Sequence, residues 1–309
     1  MAQRHIQITP YSAAVGALIS GVDLAAPLSD AEFGVIRQAF LDHGVLFFRD
    51  QQLSPEQHLA FARRWAPIDI NRFFKAVEGY PEIAEVRKEA DQKTNIGGDW
   101  HTDHSYDSVP AMGSLLLARE VPPRGGDTLF ANLSLAYEAL SDGLKKTLQG
   151  LRAVHSTAHV FGAAAGYAKV ADLAGRIGNS QAVSADVVHP VVIRHPDTGR
   201  KTLYVNRAFS IRFEGWTVAE SAPLLQFLYA HAASPEFNCR FEWRAGSMAF
   251  WDNRATWHCA MNDYHGHRRL MHRITVQGAP IPPMDPAIHA ANQPANQWAN
   301  QSAPHTAAA

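Results

Sequence analysis

Three stretches of the chain place Ser or Thr three residues ahead of Glu or Gln and then repeat apolar residues at helical intervals. Ser29 and Glu32 precede Phe33, Ile36 and Phe40. Ser54 and Gln57 precede Leu59, Ala62 and Trp65, and Thr217 and Glu220 precede Leu224, Leu225, Leu228 and His231. This spacing predicts three helix starts, because the hydroxyl and the carboxylate or carboxamide satisfy each other's backbone donors. Elsewhere short β-branched and aromatic runs dominate: GVLFFRD between the first two helices, then GSLLLARE, VVHPVVIRH, KTLYVN, RFEWR, MAFWDN and RLMHRITVQG. Turn residues separate them, and Asp197 and Gly199 predict a hairpin between VVHPVVIRH and KTLYVN. Many short strands with a few helices, no βαβ alternation and no internal repeat predict a mainly β fold with peripheral helices, an antiparallel sandwich or jelly roll.

The pattern weakens from about residue 282, where the chain turns to Ala, Asn, Gln and Pro. We expect one domain over residues 1–281 and a disordered tail over 282–309, since the tail offers little apolar surface to offset the entropy of ordering. The 309 residues carry 28 basic and 29 acidic side chains, a formal charge of −1, so no basic face for nucleic acid is advertised. Cys239 and Cys259 are too few and too far apart for a disulfide framework or a zinc ribbon, and are expected to be inert buried thiols. No signal-peptide core and no apolar run of spanning length is visible, so a soluble cytoplasmic protein with no membrane partner is expected.

Candidate chemistry begins in GGDWHTDHSYDSVPAMG. In an extended segment residues two apart face the same way, so His101 and Asp103 would present an imidazole and a carboxylate to one point. That is two thirds of the facial triad that holds non-haem Fe(II) with open positions. Taken alone, the triplet reads rather as a polar turn or a capping pair. A second segment, FWDNRATWHCAMNDYHGHRRLMHRITVQG, supplies His258 and puts Arg269 and Arg273 on one face of a strand. His272 alternates with these arginines and faces away. His265 and His267 flank Gly266 in a loop, His104 is out of register with Asp103, and His189 and His195 flank the hairpin in structural positions.

Together these segments resemble the taurine dioxygenase and 2,4-dichlorophenoxyacetate dioxygenase family (TauD/TfdA), and the likeness runs from ISGVDLAAPLS to about residue 278. The family's motif is His-x-Asp, a Gly-Gly-Asp-Thr turn, a distal His, and Arg eleven and fifteen residues later. Here it is matched by His101 and Asp103, Gly125 to Thr128, His258, Arg269 and Arg273. The resemblance implies a double-stranded β-helix core of the cupin-like jelly-roll kind. It also implies Fe(II) on His101, Asp103 and His258, with 2-oxoglutarate and O2 as cosubstrates. Arg269 and Thr128 would hold the far carboxylate of 2-oxoglutarate, since a guanidinium meets a carboxylate in a two-pronged pair that Lys cannot match.

The resemblance further gives Arg273 the anionic head of a small substrate, a carboxylate, sulfonate or sulfate ester, and makes Tyr106 and Phe161 wall residues. Taurine enzymes carry a His-Pro-x-Tyr stretch near residue 70. Here Asn71-Arg72-Phe73-Phe74 stands in its place, with Asn71 and Phe74 as candidate substrate residues, and this favours an aryloxyalkanoate-like acid. The expected reaction is hydroxylation with release of succinate and CO2 and cleavage of a C–O, C–S or C–N bond, in a homo-oligomer, dimer or tetramer. Three readings compete with it: taurine dioxygenase proper, a catalytically silent jelly-roll binding protein, and a zinc hydrolase. The last needs a general base beside the metal, where the motif offers Arg and Thr.

Overall fold

A computed structural model describes residues 5–163, 166–178 and 182–282, so the Ala-, Asn-, Gln- and Pro-rich stretch lies outside the described residues except for Pro282. All three expected helix starts are capping boxes, opening the helices Asp30–His43, Pro55–Arg63 and Val218–Ala232. The first helix ends at Gly44, whose φ of 71° closes the cap with its N–H donating to Phe40.

The two early helices cover one face of a nine-stranded mixed sheet. Its centre runs Ala17–Ser20, Val45–Phe48, Met248–Asp252, Gly113–Glu120, Arg269–Val276 and Tyr80–Lys88. Alternate residues of these strands serve two cores. Leu46, Phe48, Leu115, Leu117 and Phe250 pack under the helices, with Phe40 stacked on Phe250 at 4.2 Å. Val45, Phe47, Leu116, Ala118 and Trp251 point the other way, into a second core shared with a three-stranded sheet of Asn238–Phe241, Thr128–Asn132 and Thr256–Ala260. Burial on both faces is why GVLFF and SLLLA read as continuous apolar runs rather than alternating ones.

The three-stranded sheet is backed in turn by the helices Leu133–Glu138 and Val218–Ala232, through Leu133, Trp257, Leu225 and Leu228. Two sheets face to face with helices outside make the expected jelly roll. Some strand boundaries differ from the expected ones. VVHPVVIRH breaks at Val191, its halves joining different sheets, because Val187–Pro190 pairs with Arg152–His155 while Val192–Arg194 pairs with Lys201–Leu203 across the expected hairpin. RFEWR leaves its strand after Phe241, where Trp243 turns into the inner core. Among the described residues no helix is long and apolar enough to cross a membrane.

Candidate metal centre and anion cavity

His101 and His258 come from opposite ends of the motif and meet as an isolated antiparallel bridge. Each backbone N–H donates to the other's carbonyl, at 3.1 and 2.9 Å, and the rings lie 4.0 Å apart. Asp103 lies beyond the bridge, with Oδ1 3.7 Å from His101 Nε2 and Oδ2 3.8 Å from His258 Nε2. The ligating atoms of all three lie within 4.8 Å of one another, and all three side chains are buried. The chain then turns sharply, as His104 takes a left-handed φ of 59°.

Protonation suits a metal. The Nδ1 of His101 is 2.7 Å from the Asp99 carbonyl, which can only accept, so Nδ1 carries the hydrogen and Nε2 presents its lone pair to the site. Burial first, and then the neighbouring His101, hold His258 well below the ordinary histidine range, leaving a neutral imidazole. Burial alone would raise Asp103. The Arg273 guanidinium and then His258 and His101 outweigh it and keep the carboxyl ionised, below the usual carboxylate range. Two imidazoles and one carboxylate on one side of a cavity can hold a divalent ion and leave its other face open.

Arg269 and Arg273 share the inward face of their strand, as period two requires. Arg273 Nη1 lies 3.3 Å from Asp103 Oδ1, and its guanidinium sits 4.5 Å from the centre of the Phe74 ring. Arg269 has no carboxylate in salt-bridge contact among the described residues, and its buried Nε and Nη2 make no hydrogen bond. Burial works against this charge and only Tyr264 and Asp127 offset it. A buried cation with orphaned donors is a receptor for an anion. Thr128 lines the same cavity, and its oxygen accepts from Trp243 Nε1 at 2.9 Å, leaving its own hydrogen to donate.

The turn that delivers Thr128 depends on glycine. Gly125 and Gly126 have φ of 76° and 71°. A Cβ on Gly125 would sit 2.7 Å from Asp263 Oδ1, and one on Gly126 would press on Tyr264 and the Arg269 side chain.

The cavity encloses about 460 Å³ and opens above the three ligands and both arginines. Phe74, Tyr106 and Phe161 line it, as expected, and Phe209, which no sequence pattern marked, joins them. The Tyr106 hydroxyl makes no hydrogen bond among the described residues, and burial pushes its pKa up, so the phenol stays protonated. Asn71 does not line the cavity. Its carboxamide oxygen accepts from the N–H groups of Phe73 and Phe74 at 3.0 Å each, so it shapes the turn that aims Phe74 inward. Phe73 is a core residue, stacked on Phe161 at 4.1 Å.

The other histidines lie elsewhere, as their register implied. His272 faces the helices and accepts from Arg119 Nε at 3.1 Å, His265 and His267 are exposed, and His195 donates to Asp252 at 2.9 Å. His104 groups with Asp69 and Asp107, but Arg72 already supplies that cluster with a cation, donating to Asp107 at 2.6 Å. Two contacts of the ligand residues follow no sequence pattern: the Asp99 carbonyl accepts from His101, and Ser114 donates to Asp103.

The chain is similar over most of its length to proteins of known family. The family model described as taurine catabolism dioxygenase TauD, TfdA family, matches residues 7–275. An alkylsulfatase of Acinetobacter baylyi is 33% identical over 277 residues, 89% of this chain and 86% of the relative. An (S)-phenoxypropionate/alpha-ketoglutarate-dioxygenase of Sphingobium herbicidovorans is 34% identical over 281 residues, 88% of this chain and 95% of the relative. The crystal structure of a taurine dioxygenase from Burkholderia xenovorans superposes with a TM-score of 0.74 at 37% identity, covering 88% of this chain and 89% of that one.

Proposed function

Because the chain belongs to the TauD/TfdA family of 2-oxoglutarate-dependent dioxygenases, we propose that it hydroxylates a small amphiphilic acid, an aryloxyalkanoate or an alkyl sulfate before taurine. The observation that carries this reading is Arg273, a buried guanidinium braced against the Phe74 ring at the floor of an aromatic cavity. Arg273 receives the anionic head, and the ring or alkyl body lies against Phe74, Tyr106 and Phe161. Two relatives' names point the same way, one to alkyl sulfates and one to a phenoxypropionate, while the similar Burkholderia xenovorans structure is named a taurine dioxygenase.

His101, Asp103 and His258 fit Fe(II), and when bound the metal supplies the centre at which 2-oxoglutarate and O2 react to give succinate and CO2. Arg269 and the Thr128 hydroxyl take the far carboxylate of 2-oxoglutarate, which supplies the partner their orphaned donors lack. The aromatic walls exclude water and fix the substrate carbon that reacts. Where that carbon bears a heteroatom, the hydroxylated product collapses with cleavage of the C–O or C–S bond.

We take the domain to span residues 1–281, and place the enzyme in a reducing cytoplasm, in keeping with its two free buried thiols. The exposed Val218 and Phe227 on the helix Val218–Ala232 suit a homo-oligomer. Succinate release tests the substrate class, measured with taurine, a 2-aryloxypropionate and a medium-chain alkyl sulfate. Turnover of the hydrophobic acids, with taurine giving only uncoupled loss of 2-oxoglutarate, is expected. Efficient coupled turnover of taurine alone would return the protein to the family's namesake activity.

A further inference from the structure

The inward face of the strand Gly113–Glu120 carries Leu116 and Ala118 in the inner core, but its first inward side chain is Ser114, fully buried. Ser114 is fixed on both sides, opposite Trp251 in one neighbouring strand and Thr275 in the other. A buried hydroxyl in such a place costs stability unless it is hydrogen-bonded. Its Oγ lies 2.9 Å from Asp103 Oδ2 and 3.3 Å from Asn253 Nδ2, and Asn253 is itself fully buried.

The direction of this relay follows from its end. An ionised carboxylate only accepts, so Ser114 must donate to Asp103 and must itself accept, which requires the Asn253 amide to present N–H to it. Asn253 is held in turn, its backbone N–H donating to the Met112 carbonyl at 3.0 Å. Ser114 thus meets one oxygen of the Asp103 carboxylate and is itself met by a side chain from a third segment.

We propose that Ser114, oriented by Asn253, is a positioning residue that sets the rotation of the Asp103 carboxylate by holding Oδ2, so that Oδ1, on the side of His101 and Arg273, is the oxygen turned to a metal. The inference rests on the iron site proposed above, and it adds the group that determines how tightly that site binds.

The test is Mn(II) binding by titration calorimetry on the full chain stripped with chelator, a readout that needs no turnover. Ser114→Ala should raise the dissociation constant by about 10- to 100-fold, the usual effect of removing a hydrogen-bonding partner from a ligand. Ser114→Thr, which keeps the hydroxyl, should stay within about threefold of the parent, and Asn253→Ala should fall between the two. Leu115→Ala, on the same strand but facing the helices, should lower the melting temperature and leave metal affinity unchanged. Ser114→Ala binding as tightly as the parent overturns the inference while the iron site stands. So does Leu115→Ala losing as much affinity as Ser114→Ala. If Ser114→Ala does not fold, parent-like binding by Asn253→Ala overturns the relay. A parent that binds no Mn(II) overturns this inference and the iron site together.

Discussion

His101 and His258 exchange both of their backbone hydrogen bonds, so two segments 157 positions apart in sequence are joined by main chain before either imidazole does anything. The bridge does not depend on the side chains. Replacing His258 by Ala should therefore leave the metal-free melting temperature within a few degrees of the parent's. The extra stabilisation that Mn(II) gives the parent should vanish, because a ligand stabilises only the state that binds it. Thermal melts with and without Mn(II) decide it, and an undiminished metal-induced shift would remove His258 from the site.

Arg269→Lys should raise the apparent KM for 2-oxoglutarate by about 10-fold or more, since one charge-assisted hydrogen bond is worth roughly 1.5–3 kcal/mol and Lys loses the fork. The KM of the hydroxylated substrate should move little, because Arg273 rather than Arg269 sits beside Asp103 and Phe74. Steady-state kinetics in both substrates check this. An unchanged 2-oxoglutarate KM would point to another anchor.

Much of this site was legible because its chemistry is written in spacing. Two-residue alternation on one strand separated Arg269 and Arg273 from His272, and the structure puts His272 against Arg119 on the opposite face. The capping boxes marked the three helices for the same reason, a local pattern fixed by local hydrogen bonds. The strands Thr128–Asn132, Arg152–His155 and Thr256–Ala260 gave no such signal, being short and partnered at long range. Asn71 aligns with a substrate-binding position of the taurine enzymes, yet its carboxamide oxygen serves its own backbone, toward Phe73 and Phe74. Ser114 carries no sequence mark, since only the fold shows which carboxylate a buried hydroxyl meets.

Phe74→Leu keeps an apolar wall but removes the ring beneath the Arg273 guanidinium. A cation–π contact is worth about 0.5–2 kcal/mol, so the substrate KM should rise roughly 2- to 30-fold with the 2-oxoglutarate KM unchanged. Equal changes in both constants would indicate a general loosening of the cavity rather than a loss of anion placement.

Acid should destabilise the fold through buried neutral histidines. His58 is fully buried beneath the large sheet, and burial, with Arg119 and His272 nearby, lowers its pKa to about 3 from an ordinary 6.5. The unfolded chain therefore takes up the proton first, so this contribution is intact above pH 6.5 and is lost as pH falls toward 3, at about 1.4 kcal/mol per pH unit. His58→Leu should narrow the gap in melting temperature between pH 8 and pH 5. A gap of unchanged size would assign the acid sensitivity to other groups, such as His155, which burial also lowers to about 3.

The proposed iron site joins His101, Asp103 and His258 at one point of the cavity, with Arg269 placed to hold the far end of a chelating 2-oxoglutarate. Its most direct test is anaerobic addition of Fe(II) and 2-oxoglutarate to the full chain, followed by visible absorption. The expected result is a weak charge-transfer band that needs both additions, disappears in Asp103→Ala, and requires far more 2-oxoglutarate in Arg269→Lys. No band in the parent, or an undiminished band in Asp103→Ala, would contradict it.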